Sequence, residues 1–128
     1  MLKKLLTLTA VFALTAFAAS GKYADISHDE LKAAIATGKI TIVDVNGSAS
    51  YASGHIPGAM DYAVVKDSLA AKLPAEKSAL VVAYCGGPQC SAYRVAYDAA
   101  VALGYTRVKH YSGGISGWAG KNEKMEKN

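Results

Sequence analysis

Three kinds of feature are scarce in this 128-residue chain, and each scarcity excludes something. Metal-binding side chains are few: the histidines His28, His55 and His110 are scattered, and with Cys85 and Cys90 they make no zinc pattern. Basic residues are not gathered. The formal net charge is +4, Lys3 and Lys4 carry half of it, and no basic stripe interleaved with aromatics forms, which argues against a nucleic-acid partner. Apolar runs are short. The one near the start, Leu5 to Phe17, is uncharged and mostly apolar but falls below the roughly 20 residues a membrane-spanning helix needs. There is no internal repeat and no long low-complexity stretch.

What is present at the start reads as an export leader. Lys3-Lys4, the apolar run and Ala16-Phe17-Ala18 follow the charged, apolar, small-residue order of a secretory signal peptide. Residues 1–18 are therefore expected to be removed near Ala18, with no stable membrane span left afterwards. No cysteine lies near that site, which argues against a lipoprotein. The expected location is the bacterial periplasm or the medium. The remainder suffices for one core. It divides into a domain over residues 22–120 and a charged, flexible tail over 121–128, expected to fray into solvent.

Strand and helix signals alternate. Ser27-His28-Asp29-Glu30 has the form of a capping box, opening a helix that carries Leu31, Ala34 and Ile35 on one face and ends near Gly38. Ile40 to Val45 is β-branched and reads as a buried strand; Gly54, Pro57 and Gly58 mark a loop; Met60-Asp61-Tyr62 suggests a short strand. A helix is expected over Lys66–Leu73, a strand over Leu80–Tyr84, a helix over Ser91–Leu103, a strand over Thr106–Tyr111 and a last short helix through Trp118. The pattern predicts an α/β fold with a small parallel sheet and helices on both faces. Ligands of such sheets bind beyond the carboxyl ends of the strands, where Asp44 and Cys85 fall.

The most informative stretch is Tyr84-Cys85-Gly86-Gly87-Pro88-Gln89-Cys90-Ser91. A cysteine ends a buried strand, a tight loop follows, and a helix is expected to begin. Backbone N–H groups in such a loop can converge on one anion, an environment that lowers a thiol's pKa and favours the reactive thiolate. Gly86 and Gly87 are expected to supply backbone freedom and space, Pro88 stiffness, and Ser91 a helix cap whose dipole adds to the field. Cys85 is the candidate nucleophile. A disulfide across five positions would staple little, so a reactive cysteine beside a second thiol is the better reading than a structural bridge. Cys90 is either a resolving thiol, bonding transiently to Cys85 or accepting its sulfur, or a small apolar filler. Ser91 stands where a Cys-x5-Arg phosphatase would carry its arginine, which argues against a phosphate clamp.

Three segments in order resemble the rhodanese (sulfurtransferase) family. They are Asp44-Val45 with Tyr51 to Ala59, the Cys85 loop, and Gly104 to Val108 with Tyr111 to Trp118. The resemblance implies a five-stranded parallel sheet and a cysteine carrying a transferable sulfur as a persulfide. The donor would be thiosulfate or a persulfide, the acceptor cyanide or a thiol, and a redox or sulfur-carrier protein would be a possible partner. No cofactor or metal is called for. Two departures from the family bear on the donor. The loop holds none of the basic residues that would meet thiosulfate's sulfonate, and Asn46 stands where an arginine commonly follows Asp-Val. Arg94, Arg107 and His110 are the candidates for compensation.

Supporting roles are expected for Asp44, as an acceptor for loop N–H groups, and His55, tying a turn to the backbone. Asp44 is read as structural, since a carboxylate beside a thiolate would raise the thiol's pKa. Two other function classes stay open. One is a thiol–disulfide redox protein using Cys85 and Cys90; the other is a non-catalytic module that binds a partner or carries sulfur for one.

Overall fold

The structure, a computed structural model, describes residues 22–128. The expected leader, residues 1–18, lies outside the described residues. Six helices and four strands follow: α1 (His28–Thr37), β1 (Thr41–Asp44), α2 (Ser48–Ser53), β2 (Met60–Asp61), α3 (Tyr62–Val65), α4 (Leu69–Lys72), β3 (Leu80–Tyr84), α5 (Arg94–Ala102), β4 (Arg107–His110) and α6 (Gly114–Gly120). No described helix is long and apolar enough to cross a membrane.

All strands are parallel, in the order β2-β1-β3-β4. The expected fifth strand is reduced to one bridge. Asp25 pairs in parallel with His110 at the β4 edge, where the amide of Ile26 donates to His110 O at 2.9 Å. β1 leads outward to β2, and the chain then crosses back to place β3 on the other side of β1. The carboxyl ends of β1 and β3 thus form a topological switch point, where open α/β sheets bind ligands.

The period-two pattern of β3 divides the interior. Val81, Ala83 and Cys85 join the cluster under α3, α4 and α5, with Leu69, Ala96, Tyr97 and Ala100. Leu80, Val82 and Tyr84 join the cluster under α1 and α6, with Leu31, Ile42, Ile56 and Trp118. Strand β3 is buried along its whole length, as a central parallel strand covered on both faces should be. Ser27 caps α1 by accepting from the Glu30 amide at 3.1 Å, and Gly38, at φ 70°, ends it.

Several expectations need correction. The helix expected over Lys66–Leu73 is broken into α3, a 3₁₀ turn over Lys66–Ser68, and α4. Helix α2 was not expected; its segment Ser-Ala-Ser-Tyr-Ala-Ser has no apolar periodicity and no side-chain cap. Helix α5 begins at Arg94, not Ser91, so Ser91 does not cap it; the carbonyls of Ser91 and Ala92 instead accept from the amides of Arg94 and Val95 in a turn.

Residues 121–128, expected as a flexible tail, make contacts back to the domain. Glu126 pairs with His55 through two backbone bonds of 2.9 Å, its carboxylate accepts from the Gly58 amide at 2.6 Å, and Lys124 O accepts from the Trp118 indole at 2.9 Å. Glu123 adds an ion pair of 2.9 Å to Lys32.

Candidate active site

The site grows from the end of β3. Tyr84 and Cys85 point to opposite faces of the sheet, and each meets its own partners. On the α1 side, Asp44 is fully buried and accepts from the Tyr84 hydroxyl at 2.5 Å and from the Asn46 amide at 2.8 Å. The same hydroxyl accepts from the Ile56 amide at 3.0 Å. One network thus ties β1, β3 and the Gly54–Gly58 turn. Burial raises the Asp44 pKa above the ordinary carboxylate value, and the bonds from Tyr84 and Asn46 work against that rise. The Tyr84 hydroxyl is held protonated, chiefly by burial and then by Asp44.

Asp44 therefore lies across the sheet from Cys85 and acts on the turn. His55 is also buried. Its Nδ1 donates to Tyr51 O at 2.7 Å, and its ring stacks on Tyr51 at 3.7 Å. It fixes α2 to the turn.

On the other face, Cys85 is 1% exposed and bonded through sulfur to Cys90. Their Cα atoms are 6.2 Å apart, within the ordinary range for a bridge. Neither sulfur is free, so Cys85 attacks nothing until this disulfide is reduced. Cys90 is half-buried, while Pro88 and Gln89 form the exposed tip of the loop. The Cys90 amide donates to Gly87 O at 3.0 Å. The amides of Gly86, Gly87, Gln89 and Ser91 have no acceptor among the described residues. Such unpaired donors in a loop suit an anionic sulfur.

The loop is fixed from behind by α6. The amides of Ile115 and Ser116 donate to Cys85 O at 2.9 Å and Gly86 O at 3.0 Å. These first-turn donors of α6 are thereby spent on loop carbonyls. Gly114 makes the approach possible. Its φ is 60°, and a Cβ there would sit 2.6 Å from Cys85 O, Gly86 C and Gly87 N.

Gly114 and Ser116 belong to a motif quoted above, where Gly113-Gly114 is a turn into the last helix; the sequence pattern assigned neither residue to the Cys85 loop. The available signal was a Gly-Gly pair directly before a helix. By contrast, Gly86 and Gly87 do not have positive φ, so the expected backbone freedom is not what they contribute. At Gly87 the requirement is space, since a Cβ would lie 2.7 Å from Ser116 Oγ.

The candidates for compensating charge do not gather at the loop. Arg107 begins β4 opposite Leu80, at the amino end of the sheet, and lines a cleft of about 400 Å³ with Lys39 and Glu76. Arg94 is exposed and lies over the Tyr23 ring at 4.9 Å. His110 is buried, stacks on Tyr93 at 3.3 Å and pairs with Asp25 at 3.2 Å. Burial lowers its pKa, against the pull of Asp25.

Comparison with known proteins agrees with this geometry. The family model of the rhodanese-like domain matches residues 27–121. The chain is 34% identical over 99 residues to the HTH-type transcriptional regulator Rv0324 of Mycobacterium tuberculosis, covering 73% of this chain and 40% of that protein. It therefore spans less than half of that relative's length. Among solved structures, the BH2092 protein from Bacillus halodurans aligns with a TM-score of 0.64 at 27% identity, over 81% of this chain and 77% of that one. The human single-domain sulfurtransferase TSTD1 aligns with a TM-score of 0.59 at 26% identity, over 76% of this chain and 96% of that one. A sheet with Cys85 at its switch point, a loop of unpaired amides and a matching family model lead to one conclusion: this chain belongs to the rhodanese-like domain family.

Proposed function

We propose that the protein is a sulfurtransferase in which reduced Cys85 carries a sulfane sulfur. The Cys85 thiolate attacks the outer sulfur of thiosulfate or a persulfide, the rest of the donor leaves, and a persulfide remains on Cys85. Cyanide or a thiol then removes the outer sulfur. Two displacements through a covalent intermediate give ping-pong kinetics. The observation that carries this reading is a cysteine at the switch point followed by a loop whose amides are unpaired. Donors of that kind stabilise the anionic persulfide where water is limited. The likeness to TSTD1 supports the same chemistry. The uncharged loop, with Arg94 and Arg107 directed elsewhere, favours a persulfide donor over thiosulfate. The leader-like residues 1–18 support an exported protein.

The test is thiocyanate formation by the reduced chain with excess cyanide, using thiosulfate and then a persulfide donor. The expected result is parallel double-reciprocal lines, abolished by C85A. Thiocyanate production that survives C85A, or none with either donor, contradicts the proposal.

The disulfide supports a second reading, a thiol–disulfide redox protein. That protein would show a reversible dithiol couple and yield no thiocyanate.

A further inference from the structure

We propose that Cys90 is a resolving cysteine, which discharges the Cys85 persulfide as hydrosulfide and leaves the Cys85–Cys90 disulfide; this rests on the persulfide reading above. The activity that follows is the thiol-dependent reduction of sulfane sulfur to hydrosulfide.

The disulfide shows that the loop brings both sulfurs into bonding distance within the folded domain. A bridge five residues apart removes little entropy from the unfolded chain, so stapling is a weak reason for it. The two arms of the loop differ. The Cys85 arm is buried at the end of β3, with its carbonyl and that of Gly86 fixed by α6. The Cys90 arm is half-buried, follows the exposed Pro88 and Gln89, and lies before the start of α5 at Arg94. Cys90 is thus the more exposed residue of the pair. No third cysteine exists, so resolution within one chain involves this pair alone.

The chemistry balances without an added oxidant. The Cys90 thiol gives up its proton, and its thiolate attacks Cys85 Sγ, the inner sulfur of the persulfide. The Sγ–S bond breaks, and its electron pair leaves with the outer sulfur, which takes the proton and departs as hydrosulfide. Two cysteine sulfurs are oxidised to a disulfide while the sulfane sulfur is reduced to sulfide. Reopening consumes two external thiols or one dithiol. The first attacks the accessible Cys90 sulfur and expels the Cys85 thiolate among the loop amides; the second completes an external disulfide.

The test uses the full chain, reduced, freed of reductant and loaded with thiosulfate or a short inorganic polysulfide. Intact mass and released hydrosulfide are followed together. The parent is expected to gain about 32 Da, then to lose that adduct while releasing one hydrosulfide per chain, ending about 2 Da below the reduced mass. C90S and C90A, checked for folding by circular dichroism, are expected to hold the adduct at least about tenfold longer and to release sulfide only when thiol is added. A parent that keeps a stable adduct, with neither disulfide nor sulfide formed, overturns the resolving role without any variant. So does equal decay in parent and variants. A C90S protein that never gains the adduct overturns the persulfide reading itself, and this inference with it.

Discussion

The two ends of the sheet differ in almost every respect that matters for chemistry. The amino end carries Lys39, Glu76 and Arg107 around an open cleft of about 400 Å³, with no cysteine in its lining. The carboxyl end carries an uncharged loop, two bonded sulfurs, unpaired amides and a fully buried carboxylate satisfied by a tyrosine. That cleft is thus not where a sulfur would be held. A single sulfur needs backbone dipoles and a supported loop more than volume or charged side chains.

The sharpest way to break this contrast is to push α6 off the loop. G114A puts a Cβ 2.6 Å from three backbone atoms at a positive φ. Strain and overpacking together are expected to cost roughly 3 kcal/mol or more, read as a lower urea midpoint, and sulfur loading is expected to fall with it. An unchanged midpoint contradicts the packing account. Y84F comes next. It removes the donor to buried Asp44 and the acceptor for the Ile56 amide, with an expected loss of about 2 kcal/mol in the same denaturation experiment.

His110, also at the carboxyl end, provides a pH test. Its folded pKa lies below the ordinary value of 6.5, so the unfolded chain takes up the proton first on acidification. Its contribution to stability is therefore full above pH 6.5 and lost as pH falls from there toward the folded value. The slope is at most about 1.4 kcal/mol per pH unit, and H110Q is expected to flatten it. The smallest effects belong to the amino end. R107Q and K39Q are expected to change stability by less than about 0.5 kcal/mol and to leave thiocyanate formation within about twofold. A large loss of activity in either would erase the distinction between the ends.

Much of this division was legible in the chain. The β-branched and apolar runs located β1 and β3 because both are buried on two faces, and Ser27 with Glu30 marked the start of α1 through a purely local bond. Features set by distant contacts were hidden. Helix α2 has a polar sequence and is held by Tyr51, whose hydroxyl donates to Ala59 O at 2.6 Å and whose ring stacks on His55. The tail reads as solvated charge, yet Glu126 reaches back to His55 and Gly58. Ser91 carries a cap signal, but the loop continues through a turn to Arg94. The five-residue spacing of the cysteines left Cys90 undecided between thiol chemistry and packing. The disulfide shows that its sulfur reaches Cys85.

The account depends on the loop amides holding a charged sulfur at Cys85. The most direct measurement is the pH profile of alkylation of reduced C90S by iodoacetamide, followed by intact mass beside free cysteine. Rapid alkylation of Cys85 in mildly acid solution, where free cysteine reacts slowly, is the predicted result. A profile that tracks free cysteine, or a side chain that resists the reagent at every pH, contradicts it.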